Sequence, residues 1–334
     1  MRFLKRIFLV LALSGLSVIA LGVAFAVRPL PLKSTPLEFD IPPGLSLAAS
    51  ARRMADAGIG FAPWQFSVFG RALGRAGEIK AGSYLVEQGL TPLGLLDMLT
   101  RGDVTQGEVV LVEGRSFAQW RAALDASPDL RHDTAGLGEK EILARLSAVE
   151  SHPEGLFFPD TYLFSKQSSD LDVLRRAYAA MRRQLAAEWS SRNPGLPLKT
   201  PYEALILASI VEKETGQSAD RPQIAAVFVN RLRQGMLLQT DPTVIYGLGE
   251  RFDGNLRKAD LLADTAYNTY TRAGLPPTPI AMPGLAALRA ALHPPVSDKL
   301  YFVARGDGSS EFSRTLDEHN RAVARYQKRK GGPG

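Results

Sequence analysis

The chain has 334 residues, 45% hydrophobic and 22% charged, proportions that exclude a mainly disordered chain, a collagen-like repeat and a multispanning membrane protein and predict two or three domains. Cysteine is absent and four histidines are scattered, which excludes disulfides and thiolate chemistry and predicts no metal site. The net charge is +6, but Arg2, Lys5, Arg6 and Arg28 lie in an acid-free N-terminal segment; the other 36 basic residues face 34 acidic ones, so nucleic acid is not an expected partner.

Ile7 through Val27 is uncharged. At ~1.5 Å per residue it reaches ~31 Å, enough to cross a hydrocarbon core of ~30 Å. Arg2, Lys5 and Arg6 precede it, which predicts a single-pass helix in the cytoplasmic (inner) membrane. Its N-terminus stays in the cytoplasm, and the rest is exported to the periplasm or another extracytoplasmic space. Ala24-Phe25-Ala26 has the small-x-small form of a signal-peptidase site, so a released, soluble product is the competing expectation. The apolar run exceeds the ~7–15 residues of a usual signal sequence, which favours retention.

Residues 1–28 are thus the cytoplasmic N-terminus and anchor, and 29–36, with prolines at 29 and 31, a linker. Leu37–Ile41 alternates as a strand. Ser46 caps a helix to about Ala57, which Gly58 stops. Pro63–Arg75 reads as a second helix and Ser83–Glu87 as a strand. Thr91-Pro92 opens a helix through Leu99, and a strand near Glu108–Val112 precedes a helix from Ser116. Residues 37–113 therefore form a small α+β module, which could be no more than a folded spacer. Residues 127–141 suit a loop. Glu154–Tyr162 is an aromatic turn, read either as core packing or as a sugar-stacking surface. A long helix runs from about Asp170 to Trp189.

Thr200-Pro201-Tyr202-Glu203 combines a capping box with proline at the first helical position. The helix it opens is apolar nearly all round through Val211, and therefore buried. Glu212 comes straight after, on the face of Leu205 and Ala208. A poorly solvated carboxyl there keeps its proton near neutral pH, the property of a general acid in glycoside chemistry. It could equally pair with a lysine or arginine at the helix end. Glu214, two positions on, faces away and is read as solvated. Pro222 begins another helix that Gly235 stops. Two polar stretches follow, Gln239–Gly247 and Tyr267–Ile280. Their amides, hydroxyls and phenols suit a sugar, or bonding within loops.

Glu154–Tyr162, Ala208–Thr215, Val229–Leu232, Gln239–Gly247, Ala266–Tyr270 and His293-Pro294 occur in an order that resembles the endolytic murein transglycosylases, a YceG-like family. The likeness runs from about residue 105 to Tyr326. It implies an α+β fold with an N-terminal transmembrane helix, a LysM-like module at 37–113 and a YceG-like catalytic domain at 114–326; residues 327–334 read from their own charges as a basic, solvated tail. The implied activity is lytic cleavage of peptidoglycan glycan strands between N-acetylmuramic acid and N-acetylglucosamine, leaving 1,6-anhydro ends without cofactor or metal. By resemblance Glu212 is the catalytic acid and base, while Gln239, Asp241, Thr243, Tyr246, Asn268 and Tyr270 position substrate. Glycan strands are then the partner, with peptidoglycan synthases as further partners. Two other readings stand beside this one: an anchored muramidase, with Asp241 as the acid placed to serve as its second carboxylate, and a non-enzymatic glycan-binding scaffold.

Overall fold

The computed structural model describes residues 2–326; the expected basic tail, 327–334, lies outside them. The chain is mixed α+β and divides into two compact units. One comprises Met1–Glu108, Asp129–Arg131 and Leu163–Ser168; the other comprises Val109–Pro128, His132–Tyr162 and the chain from Ser169 onward.

The first unit opens with α1 (Arg2–Val27), whose stretch Lys5–Val27 is long and apolar enough to cross a membrane. Then come β1 (Leu37–Ile41), α2 (Leu47–Ala57), α3 (Pro63–Ala72), β2 (Gly82–Val86) and α4 (Pro92–Arg101). β1 and β2 pair antiparallel, Leu37 opposite Val86 and Ile41 opposite Gly82. Alternation turns Leu37, Phe39 and Ile41 inward onto Met54, Phe66, Tyr84, Leu95 and Leu99. The Ser46 and Thr91 hydroxyls accept from the N–H groups of Ala49 and Gly94, so both predicted caps form. α3 ends at Ala72, short of the expected Arg75. Gly74 turns left-handed at φ +73°, and the Arg75 N–H reaches back to the Gly70 carbonyl at 3.0 Å.

β3 (Gln106–Leu111) pairs with β4 (Asp160–Ser165). Between them lie α5 (Phe117–Asp125) and α6 (Glu139–Arg145). α6 takes up the end of the expected 127–141 loop. The aromatic turn is core: Phe157 is fully buried, stacked on Phe117 with ring centroids 5.2 Å apart and flanked by Trp120 and Tyr178.

The second unit continues as α7 (Asp170–Ser190), α8 (Pro201–Glu214), α9 (Arg221–Arg233), α10 (Asp241–Leu248), α11 (Lys258–Leu262) and α12 (Leu285–Leu292). It closes with the hairpin β5 (Tyr301–Ala304) and β6 (Ser310–Ser313), then α13 (Leu316–Tyr326). α8 is its central element. Every residue from Ala204 to Glu212 is buried, with α7, α9, α10 and α12 packed around it. Its lack of a polar face is what allows a helix to be enclosed on all sides. Part of the polar stretch expected to bond as a loop is the helix α10, with Pro242 in its first turn, where no N–H is needed.

Candidate active site

α8 starts where predicted. The Thr200 hydroxyl accepts from the Glu203 N–H at 3.2 Å, and the Glu203 carboxylate accepts from the Lys199 N–H. It runs two residues past Glu212, so Glu212 and Glu214 share its last turn. At about 100° per residue they point to nearly opposite sides. Each lines a different cavity.

Glu212 lines a cavity of about 420 Å³ with Glu113, Arg115, Lys213 and Arg221. Its side chain is only 4% exposed. Oε1 accepts from Arg221 Nη2 at 3.1 Å, and Oε2 accepts from the Gly284 N–H at 2.9 Å. Glu113 lies 3.8 Å from the same guanidinium. Burial raises the Glu212 carboxyl above its usual range and Glu113 adds to this; the Gly284 N–H and Arg221 act against it. Glu212 therefore ties the end of α8 to the first residue of α9 and the N-cap of α12.

Glu214 lines a cleft of about 550 Å³ with Arg231, Gln239, Asp241, Tyr270 and Tyr301. The expectation that it is solvated is corrected here: it is half-buried and accepts a hydrogen bond from the Thr240 hydroxyl. Burial pushes its pKa up to about 7, helped by the charge of Asp241 and opposed by Thr240 and Arg231. Arg231 is a buried cation whose guanidinium donates to the carbonyls of Leu300 at 2.7 Å and Leu238 at 2.8 Å. It steadies charge in the cleft while held by backbone.

Three of the six residues implied for substrate contact meet in this cleft. Gln239 takes a left-handed backbone, φ +52°, and its N–H donates to the Thr269 carbonyl at 3.1 Å. A non-glycine residue held there is strained. Asp241 Oδ1 accepts from the Tyr270 hydroxyl at 2.5 Å. The other three have other places. Thr243 is fully buried and bonds to the Thr240 carbonyl and the Thr269 hydroxyl. Asn268 is buried too; its amide donates to the carbonyls of Asp260, Leu261 and Ala263, and its oxygen accepts from the Tyr270 N–H. These two build the cleft wall from behind. Tyr246 points elsewhere: its hydroxyl donates to Glu154 at 3.1 Å, beside Tyr267. Glu154, 3% exposed, also accepts from the Phe117 N–H at 3.0 Å, and burial raises it to about 7.

The sequence reading sets Glu214 aside as solvated and gives Arg231 no role beyond its place in a motif. The available signal was Glu212-Lys213-Glu214 itself, since a helix ending in two glutamates two apart presents one to each side. Asp125, His132 and Asp170 bring ligand-type atoms within 4.8 Å of one another, but the Asp170 carboxylate already accepts from the Thr134 N–H and hydroxyl. This group lines neither cavity.

The sequence model of the YceG-like family matches residues 39–325. The endolytic murein transglycosylase of Bacillus subtilis (strain 168) is 31% identical over 316 residues, which cover 87% of this chain and 85% of that protein. The endolytic murein transglycosylase of Streptococcus pneumoniae serotype 2 is 34% identical over 180 residues, 52% of this chain and 32% of that longer protein. A crystal structure of a yceG-like protein from Listeria monocytogenes superposes with a TM-score of 0.56 at 30% identity, covering 86% of this chain and 99% of that one. With the family match running from residue 39 in the first unit through nearly all of the second, and a relative 31% identical over 87% of the chain, the chain belongs to the YceG-like family.

Proposed function

We propose that this chain is an endolytic peptidoglycan transglycosylase that cuts glycan strands between N-acetylmuramic acid and N-acetylglucosamine. The relatives' activity supports this reading. So does one observation above the others: a carboxyl poised at about 7 in a cleft lined by amide, phenol and carboxylate groups. In this proposal Glu214 is the general acid and base. Its carboxylic acid protonates the glycosidic oxygen as the C1–O bond breaks. The resulting carboxylate takes the proton from the muramyl C6 hydroxyl as O6 bonds to C1. The acid is regenerated, no water is consumed, and the product carries a 1,6-anhydro ring. Because the nucleophile belongs to the substrate, one carboxyl suffices, whereas hydrolysis by inversion or retention needs two.

Gln239, Asp241 and Tyr270 orient the sugar, and Arg231 balances negative charge when Glu214 is ionised. A second assignment keeps Glu212 as the acid, since it too is desolvated and lines a cavity. Its carboxylate, however, already has a guanidinium and an N–H as partners, which favour the ionised form. Product analysis tests the reaction. Mass spectrometry of digested sacculi should find anhydro ends, lighter by one water than reducing ends. Reducing ends would instead indicate a muramidase, with Asp241 as the second carboxylate.

The order β1–α2–α3–β2 supports reading residues 37–113 as a LysM-like glycan-binding module ahead of a catalytic domain at 114–326. α1 supports a single-pass anchor with its N-terminus in the cytoplasm and the remainder outside. Held there, the enzyme would cut strands near their synthesis, which makes peptidoglycan synthases its expected partners.

A further inference from the structure

α1 does not end free of the first unit. The Phe25 ring in its last turns meets the Phe69 ring of α3 edge-on, centroids 5.6 Å apart. Phe25 is half-buried, while most of α1 before it is exposed. A crevice of about 840 Å³ is lined by Leu21, Phe25 and Arg28 on one side and by Phe61, Gln65 and Pro92 on the other.

Depth follows from helix geometry. If Ile7–Val27 fills a hydrocarbon core of ~30 Å, Phe25 lies within about one helical turn of its outer boundary. The Phe69 ring, 5.6 Å from that of Phe25, then lies within about the same depth, which would bring α3 close to the lipid–water interface.

The surface α3 shows is suited to that place. Trp64 is 66% exposed and Val68 55%, four residues apart and thus on one stripe. Leu73, just past the helix, is 47% exposed. The helix PWQFSVFGRA carries no acidic residue and one exposed base, Arg71. Apolar residues exposed singly are ordinary. A tryptophan-led stripe without carboxylates, beside the exit of an apolar span, has the composition of an interfacial helix.

We propose that α3 rests on the outer leaflet of the membrane, with Trp64 and Val68 at the boundary of headgroups and acyl chains and Arg71 among lipid phosphates. The inference rests on the reading of α1 as a membrane anchor, and the test separates the two.

The chain has no cysteine, so Leu16→Cys and Val68→Cys each create one site for a nitroxide label in the full chain reconstituted in phospholipid vesicles. Collision with oxygen reports lipid; collision with a water-soluble nickel chelate reports water. The expected result is that both labels favour oxygen, with the Val68 site the shallower. A Leu16 label in lipid with a Val68 label in water would overturn the interfacial placement and leave the anchor standing. A Leu16 label in water would overturn both.

Discussion

Replacing Glu214 by glutamine is the most direct test of the proposed chemistry, and Glu212→Gln is its control. At a pKa of about 7, half of the Glu214 side chains carry the proton at pH 7; at the ordinary 4.5 only about one in 300 would. Glutamine is nearly isosteric and keeps an oxygen to accept from Thr240, but it has no proton to give. Loss of general acid–base catalysis is expected to lower the rate of anhydro-end formation by about 10²–10⁴-fold, which is ~2.7–5.4 kcal/mol in the barrier. Tm should hold or rise, because a desolvated carboxyl is removed. Glu212→Gln perturbs the molecule differently. It keeps the bond from the Gly284 N–H but removes the charge facing Arg221. Glu113, 3.8 Å away, remains as a partner for that guanidinium. The cost should therefore be about 1–3 kcal/mol of stability, a fall in Tm of roughly 2–4 °C per kcal/mol. Activity at a temperature where the variant stays folded should change little. The assay is mass spectrometry of anhydro products from purified glycan strands, beside thermal denaturation of each variant. Full turnover by Glu214→Gln, with turnover lost in Glu212→Gln at unchanged Tm, would refute this assignment.

Since Glu214 must start protonated, kcat/KM should fall as pH rises through about 7. Asp241→Asn, which removes a charge that raises Glu214, should move that limb to lower pH. Glu154 is raised from 4.5 to about 7 by burial, so its contribution to stability is fully present below 4.5 and is lost as pH climbs through 7. Glu154→Gln should accordingly flatten the dependence of Tm on pH between those values. Asn268→Ala strips three carbonyls and an N–H of their partner and should cost about 1–3 kcal/mol in denaturant titration, with kcat reduced because the cleft wall shifts. Gln239→Gly should relieve about 1 kcal/mol of left-handed strain, raising Tm while KM rises with the loss of a sugar contact.

Much of this protein is written locally in its chain. The uncharged run Ile7–Val27 forms one continuous helix because no residue in it breaks the pattern or needs water. Ser46, Thr91, Ser116 and Thr200 all cap the helices they precede, since a cap is a bond between residues two or three apart and needs no tertiary partner. The apolar sequence of α8 likewise required burial before any neighbour was known. Which glutamate of Glu212-Lys213-Glu214 does what is a different matter: the sequence reading assigns the acid role to Glu212 and leaves Glu214 to solvent, and nothing local distinguishes their surroundings. Helix phase alone separates the two side chains; the partners that set their chemistry arrive from far along the chain. Gly284, 72 residues on, supplies an N–H to Glu212, and Thr240, 26 residues on, supplies a hydroxyl to Glu214. The same holds for the polar stretches. Gln239 and Asp241 face the cleft whereas Thr243 turns behind it, because α10 winds through that segment and divides its side chains between cavity and core. Propensity and capping act over a few residues and are legible in order. The solvation and field at a carboxyl depend on every group packed around it, and only the folded chain decides which groups those are.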